Sequence, residues 1–315
     1  MRKTCLDTVY DLARGDSRIV FVGSDLGVDT LSEFRDELPS QFYMEGVSEA
    51  ALIGMAAGLA MEGKIPYVNT IATFITRRCY DQLAIDVCLH RLKLRLIGNG
   101  GGLVYAPLGP THEAIEDIAI LRALPNMTII APADADEMRR LLPQTVDYPG
   151  PIYIRLAKGH DPIVTDSSKP FQIGTAIPMS QGADALIVTT GITLGLALTA
   201  RDQLAGQGIK PTVLHVPTIK PLDIESILKH AEQVPVVVSV EEHSLIGGLG
   251  GAVAEVIAEA DFATPKRFRR LGIPDSFPDR YGSQQGLMEA YGITADRIVS
   301  VVRSLLETRR RNGDP

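Results

Sequence analysis

The sequence predicts an α/β protein of two domains, each a mostly parallel sheet flanked by helices. Two patterns carry that expectation. Short apolar runs of strand length alternate with helical periods through the first half, as parallel strands joined by crossover helices require. A polar, turn-prone stretch at 158–170 then interrupts the alternation, and the second half restarts it. A chain of 315 residues is long enough for two such cores. The predicted domains are 1–162 and 172–315.

In order, residues 18–22 read as the first strand, after an N-terminal helix, with Gly23-Ser24-Asp25-Leu26-Gly27 as the loop at its C-terminal end. A short strand at 41–44 runs into a helix that starts near Glu49, and 66–70 is the third strand. A helix at 76–90, a strand at 92–98 and a glycine-rich loop at 98–110 follow. Helix 111–124, strand 127–131, helix 134–146 and strand 151–156 complete the first half. In the second half, strands are expected at 185–190, 212–216 and 234–240, with helices at 193–207 and 223–232. Gly247-Gly248-Leu249-Gly250-Gly251 opens a helix at 252–260, and Thr294 caps a closing helix at 295–309. Functional groups on such sheets belong at strand C-terminal ends. Asp25, Glu49, Phe74 and the loop from Gly98 to His112 all fall there.

Composition narrows the function. With 45% hydrophobic and 22% charged residues, the chain has a globular make-up. No apolar run is long enough to cross a bilayer, and Met-Arg-Lys-Thr-Cys is not the start of a signal peptide, so a cytoplasmic protein is expected, not bound to membrane. A net charge of −7 with no basic stripe argues against nucleic acid. Cys5, Cys79 and Cys88 form no CxxC pair, so neither a disulfide framework nor a zinc site is expected. The glycine run at 247–251 lacks the acidic residue that a dinucleotide fingerprint places about 20 positions on, and close helix–strand packing accounts for it better. No P-loop, HExxH or GxSxG motif occurs.

The segment from Met44 to Ala60 organises the first half. Ser48 is a candidate cap, Glu49 stands in the first turn, and Ala50, Gly54 and Gly58 share one helical face. Interior glycines cost about 1 kcal/mol each relative to alanine, so that face is expected to let another backbone come close. On residue type alone, Glu49 serves equally to complement the helix dipole. Arg77 and Arg78 are expected in the first turn of the next helix, where cations oppose the dipole. Such a placement needs a partner, either Asp81 or a bound anion.

Four segments taken together resemble one family: Gly46-Val47-Ser48-Glu49; Thr73-Phe74 with Arg78-Cys79-Tyr80-Asp81-Gln82; Gly109-Pro110-Thr111-His112; and Ala123-Leu124-Pro125-Asn126-Met127-Thr128. In this order and spacing they resemble the pyrimidine-binding domain of transketolases. The run from Glu241 to Gly250 resembles the C-terminal domain of the same enzymes. Deoxyxylulose-phosphate synthases and, more distantly, the β subunits of 2-oxo-acid dehydrogenases share the pattern.

The resemblance implies thiamine diphosphate, which reacts through the C2 carbanion of its thiazolium ring. A buried carboxyl group bonded to the pyrimidine N1′ favours the imino tautomer, whose N4′ takes the C2 proton. That task needs an apolar, water-poor pocket, where burial raises a carboxyl's pKa. By resemblance Glu49 is this residue, although Ala50 stands where the family commonly has Gln. Phe74 matches the aromatic that stacks on the pyrimidine, Ile71 a second and usually aromatic wall, and Asp25 an acid near the cofactor. A core Phe and a plain loop Asp remain open on residue type alone. His112 matches the histidine that contacts the substrate's hydroxyl and carbonyl region.

The family holds the diphosphate and Mg²⁺ through a GDG segment followed by Asn. No GDG occurs here, and the chain starts where the family's diphosphate domain would have ended. The expectation is therefore a C-terminal subunit of a split transketolase: a homodimer core within an α2β2 assembly, with the Mg²⁺ on a separate diphosphate-binding chain. At the substrate end, Arg2 and Arg155 match two phosphate-binding arginines, and Arg78 is a further candidate for a bound anion. Asp29 replaces a Ser, Gly100 a His, and Leu108 an Asp that reads sugar hydroxyls. These changes imply a modified acceptor or donor. The competing readings are a pyruvate-decarboxylating synthase, a dehydrogenase β subunit and a non-catalytic scaffold.

Overall fold

The structure, a computed structural model, describes residues 1–24, 31–157, 159 and 161–311, the last four as backbone only. Asp25 and Asp29 lie outside the described residues. In the first half α1 (Arg2–Gly15), β1 (Ile19–Gly23), α2 (Ser32–Glu37), β2 (Phe42–Met44), α3 (Glu49–Met61) and β3 (Ile65–Ile71) follow one another. Next come α4 (Ala72–Thr76), α5 (Tyr80–Gln82), β4 (Arg95–Asn99), α6 (Asp117–Arg122), β5 (Thr128–Ile130), α7 (Ala135–Thr145) and β6 (Ile152–Leu156). The second half holds β7 (Ile177–Ser180), β8 (Ala185–Thr189), α8 (Thr193–Ala205), β9 (Pro211–His215), β10 (Thr218–Lys220), α9 (Ile224–Glu232) and β11 (Val236–Ser244). It closes with α10 (Leu249–Glu259), β12 (Arg267–Ile273), α11 (Gln284–Ala290) and α12 (Ala295–Arg311).

Two sheets form, with strand orders β10-β5-β6-β4-β3-β1-β2 and β12-β11-β8-β9-β7. All pairings are parallel except β10 with β5 and β7 with β9, so each sheet carries one antiparallel edge strand. Strands β1, β3, β4, β6 and β8 are buried along their whole length. Helices on both faces of a parallel sheet require that continuous apolar reading. Although β10 belongs to the second half of the chain, it pairs with the first sheet and ties the halves together. Among the described residues, no helix is long and apolar enough to cross a membrane.

Local departures have physical causes. The helix expected at 111–124 is reduced to α6, because the backbone before it is committed elsewhere. Gly102 and Ala114 exchange backbone bonds, Arg77 Nη2 donates to the Glu113 carbonyl, and Ser244 N donates to the Ile115 carbonyl. The helix expected at 76–90 begins earlier, directly after β3, and breaks into α4, a turn, α5 and a wider-wound segment at 83–88. The glycine run at 247–251 packs as expected: Leu249 N and Gly250 N both donate to the Glu241 carboxylate, at 2.7 Å each, and a side chain at position 248 would collide with that carboxylate. A protein carboxylate fills the helix start where a dinucleotide would put its phosphates.

Candidate active site

Glu49 opens α3 and is buried, 2% exposed, while Leu52, Ile53, Ala56 and Ala57 on the same helix face the core. Ser48 does not cap the helix; its hydroxyl turns back to the Gly46 carbonyl. Gly54 and Gly58 are exposed, and a methyl group added at either would meet nothing within 4 Å, so within the described chain no backbone closes on that face.

The partner of Glu49 is Arg78. Its Nη1 donates to Glu49 Oε2 at 2.6 Å, and its guanidinium lies over the Phe74 ring at 4.4 Å from the centroid. Arg78 is thus paired across 29 residues with Glu49, whereas Asp81 is exposed. Arg77 does not oppose a helix dipole: it is the C-cap of α4, where a cation is favoured, and its Nε pairs with Glu116 at 2.7 Å. Phe74 in turn meets His112, ring centroids 5.2 Å apart in a T-shaped arrangement. The Thr111 hydroxyl lies 2.9 Å from His112 Nδ1. Ile71, the last residue of β3, is buried three positions before Phe74. Glu49, Arg78, Phe74 and His112 therefore form one continuous run of contacts beyond the C-terminal ends of the strands.

A second group gathers at the end of β4. Gly100 has φ +70°, and a side chain there would run into the Tyr105 ring. The histidine that the family pattern places at 100 is thus excluded by Tyr105. Burial pushes the Tyr105 phenol up, while Arg2, acting through its charge and hydrogen bonding, pulls the other way. Arg2, Gly100 and Tyr105 come together; Leu108, half-exposed on the turn 106–108, lies further along the same loop. Tyr105 was not legible as a site residue, its one signal being an aromatic inside a glycine-rich loop.

Arg155 does not join either group. It is buried between the halves of the chain, with Nε donating to Asp117 Oδ2 at 2.8 Å and Nη2 to the carbonyls of Ala114 and Glu242 at 3.0 Å each. The Tyr153 hydroxyl donates to the same Asp117 oxygen at 2.7 Å. Burial works to raise Asp117, but the charges of Arg155 and His243 and these hydrogen bonds outweigh it and hold the carboxyl low. His243 Nδ1 lies 2.8 Å from the Ser244 carbonyl, and its Nε2 lies 3.3 Å from Ala119 N. Around this junction, burial pushes Glu242 up to about 7, and burial together with the charge of Glu242 pushes Glu113 up to about 7. Among the described residues, no group of three or more His, Cys, Asp or Glu side chains is placed to hold a metal ion.

The geometry fits an aromatic nitrogen ring held through one edge. A planar, nitrogen-bearing group, the Arg78 guanidinium, already lies between Phe74 and Glu49, over the ring of one and bonded to the other.

The family "Transketolase, pyrimidine binding domain" matches residues 1–162, and "Transketolase, C-terminal domain" matches 174–298. A 6-deoxy-6-sulfo-D-fructose transketolase subunit, SqwH, from Clostridium sp. (strain MSTE9) is 36% identical over 310 residues, covering 98% of this chain and 95% of its own. An apulose-4-phosphate transketolase subunit from Phocaeicola vulgatus is 38% identical over 299 residues, covering 94% of each. A solved structure described as a split gene transketolase, inactive beta4 tetramer, superposes with a TM-score of 0.89 at 34% identity, covering 97% of this chain and 98% of that one.

Proposed function

This chain belongs to the transketolase family, and on that premise we propose that it is the pyrimidine-binding subunit of a split, thiamine-diphosphate-dependent transferase of two-carbon ketol or acyl units. The subunit reading is supported by relatives named as transketolase subunits that this chain matches almost end to end. We take the domains to be 1–162 and 172–315, the Mg²⁺ and diphosphate to sit on a separate chain, and the assembly to be an α2β2 complex built on a homodimer of this subunit, working in the cytoplasm.

The observation that carries this proposal is the run of contacts from Glu49 through Phe74 to His112. When bound, thiamine diphosphate supplies a nucleophilic carbon that takes up a two-carbon unit and passes it on. Glu49 shares a proton with the pyrimidine N1′ from a water-poor position, Phe74 offers its face to the ring, and Ile71 supplies an apolar wall. Asp25 is assigned a place near the cofactor. His112, against the Phe74 edge, is positioned to donate to and accept from the substrate's hydroxyl and carbonyl oxygens. Arg2, and Arg78 once it leaves Glu49, are the cations available to an anionic substrate, since Arg155 is committed to Asp117 in the core. Gly100 and Leu108 shape the acceptor's seat, to which the resemblance also assigns Asp29.

Calorimetry on the purified chain, alone and mixed with a diphosphate-binding transketolase subunit, tests the split. Weak cofactor binding and no turnover alone, with both gained on mixing, is the expected result, because phosphate and Mg²⁺ contacts carry most of the affinity. Micromolar binding with full turnover by the chain alone would contradict it.

A further inference from the structure

The side chain of Arg78 holds both contacts that the proposed function assigns to the cofactor's pyrimidine. Its Nη1 is 2.6 Å from Glu49 Oε2, and its guanidinium lies 4.4 Å from the Phe74 centroid. A guanidinium and an aminopyrimidine are both flat, nitrogen-edged groups of similar thickness, and Phe74 can stack only one of them on that face. The exposures also differ across the pair: Glu49's side chain is 3% exposed and Arg78's 47%. Glu49 is fixed in the α3 start, whereas Arg78 can swing into solvent on its own side-chain torsions without opening the core. His112 also lies against Phe74, in a T-shaped arrangement with ring centroids 5.2 Å apart.

We propose that Arg78 is a displaceable placeholder for the cofactor ring: it covers Phe74 and neutralises buried Glu49 in the empty subunit, and leaves when the pyrimidine enters. This inference rests on the reading of Glu49 and Phe74 as the pyrimidine seat. Its consequence is a lowered apparent affinity, since a ligand binds only the fraction of molecules whose seat is free.

The test is titration calorimetry of the full chain with thiamine, which carries the pyrimidine but no phosphate. Four proteins are compared: the parent, Arg78→Ala, Arg78→Gln, and the double variant Arg78→Ala with Phe74→Ala. Arg78 is half-exposed, so its truncation leaves the core intact, and Arg78→Gln retains a hydrogen-bonding group for Glu49 should the alanine variant unfold. Both single variants are expected to bind thiamine about tenfold tighter than the parent, as for a seat blocked nine-tenths of the time, and the double variant to lose that gain. Equal affinity in parent and single variants, abolished in the double variant, would leave the pyrimidine seat standing and overturn the placeholder. Weaker binding in the single variants would also overturn it, because Arg78 would then be a ligand contact. No binding by any of the four at millimolar thiamine would overturn the placeholder and the seat together.

Discussion

Replacing Glu242 with Gln should change how stability depends on pH. The Glu242 carboxyl is 4% exposed and accepts from Leu103 N and Gln284 Nε2, both at 2.8 Å on Oε1. Burial lifts it from an ordinary 4.5 to about 7. A folded value above the unfolded one means that the native state binds the proton more tightly. The carboxyl's contribution is therefore full below pH 4.5 and is lost as pH rises through about 7. A shift of that size corresponds to about 3 kcal/mol. Glu113 is lifted in the same sense, and the charge of Glu242 is part of the cause. The amide of the Glu242→Gln variant would keep the oxygen that accepts both hydrogen bonds but could not ionise. Burial lowers His230, which acts oppositely and loses its contribution as pH falls through its range, but it is common to both proteins, so the difference between them reports Glu242 and its influence on Glu113. Urea denaturation from about pH 5 to 8 should show the parent losing up to about 3 kcal/mol more than Glu242→Gln, with the variant the more stable at pH 8. Parallel curves would refute the reasoning.

Two further outcomes follow. Asp117→Asn strands the buried Arg155 cation and should cost about 3–5 kcal/mol in denaturant unfolding, with Tyr153 losing its charged acceptor as well. In the assembled enzyme, common aldose phosphates should be poor acceptors compared with less hydroxylated or carboxylate-bearing carbonyl compounds. With Gly100 closed off by Tyr105, Leu108 in place of an acid and Arg155 committed elsewhere, each missing contact costs about 1–3 kcal/mol. Competition assays with ribose 5-phosphate would show this, and turnover of it at ordinary enzymatic rates would count against the account.

The sequence disclosed the elements whose pattern is decided locally. Strands such as β1 and β8 are unbroken apolar runs because both their faces are covered. The strand β12 was hidden by its composition, Arg-Phe-Arg-Arg-Leu-Gly-Ile, whose middle is exposed at the sheet edge. β7 contains Pro178 and β10 has three residues paired with a distant strand, so neither carries a period of its own. At the site, Glu49, Phe74 and His112 could be picked out because each lies in a motif. The pairing of Arg78 could not, because Asp81 is its neighbour in sequence while Glu49 is its neighbour in space. Arg155 reads as an open cation until Asp117 and the Glu242 carbonyl are found around it. That burial arises from the packing of the two halves, which no local pattern encodes.

The central claim is that Glu49 shares a proton with the cofactor's N1′, and C2–H/D exchange of thiamine diphosphate in the assembled complex tests it most directly. Glu49→Gln keeps the shape and a hydrogen bond but has no ionisable carboxyl proton to share with N1′. The exchange rate should fall by about 10²–10⁴-fold in the variant, with cofactor still bound and the complex intact. Equal exchange rates in parent and variant would contradict the claim.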